Sequence, residues 1–172
     1  MFSGDLTTKP AQIFFGVSYQ TRIKGMKADR IKAYILVSIQ FICLILIFAS
    51  GRLFAKNYLL LALEIMGVAL GVWAVITMGR HNLNVTPLVK QEAQLVTWGP
   101  YRFIRHPMYS AVLLTSWPLI IDRFSLFLLI TGLVLTLVLI VKLFFEESLL
   151  KKHFVEYEDY MKTTKRLIPY IF

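Results

Sequence analysis

Four apolar runs, residues 32–49, 58–78, 108–121 and 124–145, leave this 172-residue chain few ways to fold. A bilayer core about 30 Å thick is crossed by around 20 apolar residues in a helix. The first, second and fourth runs have that length. The third is short and contains Pro118, so it spans only if its helix starts at or before His106. Backbone groups in lipid must pair within their own segment, and without an alternating-strand pattern they do so as helices. Hydrophobic residues make up 57% of the chain and charged ones 17%, against roughly 45–50% and about 25% in a soluble domain. A soluble cytosolic domain is excluded, and 14% aromatics exclude a disordered chain. Only Asp122 and Arg123 separate the last two runs, which reads as a tight helical hairpin. The expectation is an all-α integral membrane bundle of about four transmembrane helices, with a C-terminal helical hairpin and an amphipathic tail helix.

The net charge of +9 is distributed by topology. Lys9, Arg22, Lys24, Lys27, Arg30 and Lys32 precede the first run, residues 79–107 carry four basic residues, and the tail from Lys142 carries six. The opposite loops hold Arg52, Lys56 and Arg123 alone. The positive-inside rule then puts both termini and the 79–107 loop in the cytoplasm. Anionic headgroups reinforce this, and nucleic-acid binding is not needed to explain the charge. The chain divides into a cytoplasmic arm (1–31), two transmembrane helices (32–78), a loop (79–107), the hairpin (108–145) and a cytoplasmic tail helix (146–172). No cleavable signal peptide is expected, since the basic segment 22–32 precedes a run too long for a signal core. Residues 10–21, with Ile13, Phe14, Phe15, Val17 and Tyr19, fit either an interfacial helix or a loosely ordered arm. Short loops point to a prokaryotic plasma membrane.

Polar residues collect at two places on one side. One is the loop ending Gly99-Pro100-Tyr101-Arg102-Phe103-Ile104-Arg105-His106-Pro107-Met108-Tyr109; the other holds Lys142, Glu146-Glu147, His153-Phe154, Tyr157 and Tyr160. The hairpin brings these together, so Arg105, His106 and Tyr109 should face Lys142, Glu146 and Glu147. Interfacial anchoring is one reading of such a cluster. A binding site for a polar, partly cationic ligand is the other, because adjacent carboxylates destabilise each other unless a cation or donor lies between them.

Gln94-Leu95-Val96-Thr97, Gly99-Pro100-Tyr101-Arg102 and Arg105-His106-Pro107-Met108-Tyr109, followed by Glu146-Glu147, Leu150, Phe154, Tyr157, Tyr160, Arg166 and Pro169, resemble the signature of the isoprenylcysteine carboxyl methyltransferase and phospholipid methyltransferase superfamily. The resemblance covers residues 79–169. It implies an integral membrane methyltransferase using S-adenosylmethionine in a cytoplasm-facing pocket, closed by the loop and the tail. It implies that Gln94, Leu95 and Val96 line the adenosine side, that Tyr101, His106, Pro107, Met108 and Tyr109 hold the cofactor, and that Glu146 accepts hydrogen bonds from its polar end. The catalytic expectation falls on Arg105, Glu147 and Lys142. Lys142 stands where the prenylcysteine-specific members resemble one another in having an arginine, and an ammonium lacks the planar fork. An amine acceptor would need a base, Glu147 or His106. The acceptor is lipid-like or of prenylcysteine type. Two rivals stay open: a sterol-reductase-like NADPH oxidoreductase, and a non-catalytic membrane scaffold or transporter subunit.

His81, His106 and His153 lack metal-ligand spacing, so no metal site is expected. Gly67 and Gly71 form a small-xxx-small pair for helix packing, within the chain or in an oligomer. Glu64 either snorkels or pairs inside the bundle, or lines a substrate passage. Trp73, Trp98 and Trp117 fit interface or packing roles, and Cys43 a buried small hydrophobe.

Overall fold

The computed structural model describes residues 10–82, 84, 86–88, 93–169 and 171, with side chains from residue 27 onward except at 80 and 81. Among them are five helices: α1 (Pro10–Ala49), α2 (Tyr58–Asn82), α3 (Pro107–Asp122), α4 (Leu126–His153) and α5 (Tyr157–Thr163). A 3-10 turn covers Gly99–Arg102, and an isolated parallel bridge joins Ile104 to Lys165. Three stretches are long and apolar enough to cross a membrane: Lys27–Ala49, Tyr58–Gly79 and Leu126–His153. They make this an all-α multi-pass membrane protein. The four-span expectation turns on α3, which begins at Pro107 and has 16 residues, about 24 Å at 1.5 Å per residue. That is shorter than the bilayer core.

The backbone of residues 10–21 is helical and continuous with the rest of α1, which favours the helix over the loosely ordered arm. The side chains of Ile13, Phe14, Phe15, Val17 and Tyr19 lie outside the described residues, as does that of His81. A second difference lies at the other end. Glu146 and Glu147 do not open a tail helix; α4 runs through them to His153. Residues 141–152 contain no Gly or Pro and are rich in Leu, Lys and Glu, all good helix formers. Lys151, Lys152 and His153 occupy the last turn, where positive charge complements the helix C-terminus. The chain breaks at Phe154, which is extended (φ −114°, ψ 121°).

The helices pack mainly as two pairs, α2 on α3 and α1 on α4. Cys43 and Ile47 of α1 meet Leu119 and Ile120 of α3 and Leu128, Leu135 and Leu139 of α4 in one core. Trp117 joins α3 to α4 by donating to Thr136 Oγ1 at 3.1 Å. Trp73 and Trp98 stay exposed. At the hairpin end, Arg123 Nη2 donates to the Ile47 carbonyl at 3.1 Å, and Asp122 accepts from the Asn57 amide at 3.2 Å. Glu64, buried in α2, accepts from the Ala55 amide at 3.1 Å. It pairs inside the bundle and does not line the cavity described below.

Gly67 and Gly71 pack within the chain, one of the two uses that the sequence left open. A Cβ on Gly67 would lie 2.8 Å from Leu114 Cβ and 2.9 Å from the Leu114 carbonyl carbon, so α3 seats directly on it. At Gly71 the nearest atom is Ala111 Cβ at 3.3 Å. Gly67→Ala is therefore expected to destabilise by about 1–3 kcal/mol through overpacking, and Gly71→Ala by less. Thermal unfolding of both variants in detergent checks the order.

Candidate functional site

The site is built where the ends of α3 and α4 meet the chain that follows each membrane segment. Gly79 (φ 69°) turns the backbone at the end of α2, a conformation that suits glycine. Beyond it, Asn82 Oδ1 accepts from the Gln94 amide at 2.9 Å, and Asn84 Nδ2 donates to the Leu88 carbonyl at 2.7 Å. Gly99 (φ 62°) lets the loop come against Thr77; a Cβ there would meet Thr77 Oγ1 at 2.7 Å. The 3-10 turn then delivers Tyr101, and Pro107 starts α3 at a position where its missing N–H costs nothing.

The tail is stitched alongside this loop. The Arg105 and His106 amides donate to the carbonyls of Lys165 (2.7 Å) and Arg166 (3.0 Å), and Ser110 Oγ donates to Leu167 O at 2.6 Å. Tyr160 Oη donates to the Tyr101 carbonyl at 2.6 Å. Through these bonds α5 and the residues after it close one side of the site.

Arg105 and Glu147 form its buried strut, each side chain only 5% exposed. Arg105 Nε donates to Glu147 Oε1 at 2.8 Å, and Nη1 donates to the Met161 carbonyl at 3.2 Å and to the Thr164 carbonyl. Arg166 Nε donates to the second oxygen of Glu147 at 3.2 Å. Glu146 is more open, at 28%, and accepts from Tyr109 Oη at 2.6 Å. His106 lies between the carboxylates: Nδ1 is 3.6 Å from Glu146 Oε2, Nε2 is 3.6 Å from Glu147 Oε1, and the ring stacks on Tyr109 at 5.3 Å. At 3.6 Å neither nitrogen is close enough to hydrogen-bond its carboxylate.

A cavity of about 460 Å³ opens beside this cluster, within the roughly 300–1,000 Å³ of small-molecule sites. Gln94, Leu95, Val96, Tyr101, Arg105, His106, Met108, Tyr109, Lys142 and Glu146 all line it. Two expected site residues do not. Pro107 is spent on starting α3 and is fully buried. Glu147 is held by two guanidinium groups. The wall also includes Gln40 of α1, Met78 and Asn82 of α2, and Val112 of α3, which sequence reasoning missed. Gln40 had a signal, as a carboxamide inside an apolar run.

Three of the lining residues carry buried polar atoms without a hydrogen-bond partner: Tyr101 Oη, Tyr157 Oη and His106 Nε2. Buried polar groups are normally satisfied, so these atoms are suited to a ligand bearing both donors and acceptors. Burial pushes the phenols of Tyr101 and Tyr157 well above the ordinary tyrosine range, with the Glu146 charge adding to the effect at Tyr101 and mainly Glu147 at Tyr157. Both stay neutral at physiological pH.

Fold and site together define a multi-pass membrane protein with a small-molecule cavity at one end of its helices. The family model described as phospholipid methyltransferase matches residues 55–157, more than half of the chain. The chain belongs to that family, and is by membership a membrane methyltransferase. No curated protein matches it, and no solved structure does. α1 lies outside the matched residues.

Proposed function

We propose that the protein transfers a methyl group from S-adenosylmethionine to a lipid-like or prenylcysteine-type acceptor at the cytoplasmic face. The observation that carries this reading is the convergence of Tyr101, His106, Tyr109 and Glu146 on one cavity of about 460 Å³ in a chain of this family. Membership favours methyl transfer over the reductase and scaffold readings.

S-adenosylmethionine, when bound, supplies an activated methyl on a sulfonium, so the difficult chemistry is the cofactor's. The protein's part is to position and dry the reactants, worth roughly 7–11 kcal/mol when the geometry is right. Tyr101, His106, Met108 and Tyr109 hold the cofactor, Gln94, Leu95 and Val96 line its adenosine side, and the Glu146 carboxylate complements its cationic end. Arg105 and Glu147 are positioning residues, joining α4 to the loop and tail. A carboxylate or thiolate acceptor needs no base. An amine acceptor must lose a proton, and His106 Nε2 is the atom to take it, since Glu147 is engaged by Arg105 and Arg166. The distribution of Lys and Arg supports a cytoplasmic site, and the short loops favour the plasma membrane of a prokaryote.

Incubation with methyl-tritiated S-adenosylmethionine and an extract of total lipids plus S-farnesylcysteine tests this. Label should enter the organic phase with wild type and fall to background with Glu146→Ala. Equal label with both proteins contradicts the assignment. A tag in the 79–107 loop should be shielded from outside reagents.

A further inference from the structure

The least explained charge in the molecule is Lys142. It is 2% exposed, lies on α4 some 24 Å along from Leu126 at 1.5 Å per residue, and lines the cavity. Its Nζ donates to Gln40 Oε1 at 2.6 Å and lies 5.0 Å from the centre of the Tyr109 ring. Among the described residues no carboxylate comes within 4.0 Å of Nζ. Glu146, one turn further on, attracts it at longer range but gives an oxygen to Tyr109 Oη. An ammonium has three donors; the amide takes one and the ring face another. A buried cation lacking a close counter-charge is costly, and inside a membrane protein such groups mark ligand paths. Gln40 sharpens the point. A neutral carboxamide aims the ammonium without cancelling its charge, which a carboxylate at the same place would do.

We propose that Gln40 and Lys142 form the headgroup subsite of the methyl acceptor, binding an anionic oxygen, of a carboxylate or a phosphate, on an amphiphile. Gln40 is a specificity-determining residue contributed by α1, outside the family-matched residues 55–157. The apolar walls nearby, Met78, Val112 and Leu150, suit the hydrocarbon part of such a molecule. The assignment rests on the methyltransferase reading.

Binding of two matched probe pairs to the detergent-purified full chain tests it: S-farnesylcysteine against its carboxamide, and dihexanoyl phosphatidic acid against dihexanoylglycerol. A charge-assisted hydrogen bond should give the anionic member of at least one pair an advantage of about tenfold or more. Which pair responds tells carboxylate from phosphate. Gln40→Glu supplies an internal counter-ion and should shrink the advantage to below about threefold, whereas Lys142→Arg should keep it. S-adenosylhomocysteine titrated into the same samples separates the failures. If wild type binds it but neither pair discriminates, or Gln40→Glu still discriminates, the subsite is overturned alone. If wild type does not bind it, the methyltransferase reading fails and the subsite with it.

Discussion

Glu147→Ala is expected to lower the unfolding free energy by about 3–5 kcal/mol, the usual cost of removing one partner of a buried ion pair. The carboxylate takes Arg105 Nε on one oxygen and Arg166 Nε on the other. Its loss leaves the Arg105 guanidinium buried with neutral partners only, the Met161 and Thr164 carbonyls and the Thr164 hydroxyl. Replacing a hydrogen-bonded pair is a different matter from breaking one. The double variant Arg105→Ala/Glu147→Ala should therefore lose less than the sum of the single losses, a coupling that denaturant unfolding in detergent reads directly. The damage should centre on the tail, because Arg105 is the residue tying α4 to residues 161–164. Limited proteolysis ought to cut near α5 in the single variant before it cuts elsewhere.

The second large effect falls on the cavity. His106→Ala should weaken S-adenosylhomocysteine binding by about tenfold to hundredfold, the range for a lost hydrogen bond to a charged group. His106 is buried beside two carboxylates, stacked on Tyr109 with an interplanar angle of 4°. Removing it strips the cavity of the unpartnered Nε2 and lets Tyr109 tilt away from Glu146 Oε2, its partner at 2.6 Å. Tyr109→Phe keeps the stack and loses only the bond to Glu146. It should cost less than His106→Ala, and calorimetry on the two variants checks the ranking.

Much of this fold was legible because hydrophobic runs long enough for a bilayer leave one structural solution. The hairpin between α3 and α4 follows from the two residues separating its runs. That hairpin in turn places Arg105, His106 and Tyr109 against Lys142, Glu146 and Glu147. Patterning alone does not say which of two adjacent carboxylates lines the cavity, and only the family resemblance singled out Glu146 for the cofactor. Glu146 and Glu147 are one helix step apart, about 100° around α4. The difference in their surroundings is made by Arg105 and by Arg166, nineteen positions on, both of which pair with Glu147. The continuation of α4 past Glu146 was hidden for a related reason: a drop in hydropathy marks the end of lipid contact, not the end of a helix. Gln40 escaped notice because its partner is 102 positions away. The destination of Gly67 was open because small-residue pairs look alike whether their neighbour is α3 or another chain.

Calorimetric titration of the folded, detergent-purified wild type with S-adenosylhomocysteine tests the central claim most directly. Saturable binding in the micromolar range, about −8 kcal/mol, and lost in Glu146→Ala, is the predicted result. A monodisperse wild type that takes up no S-adenosylhomocysteine, yet binds NADPH in the same cell, would contradict it.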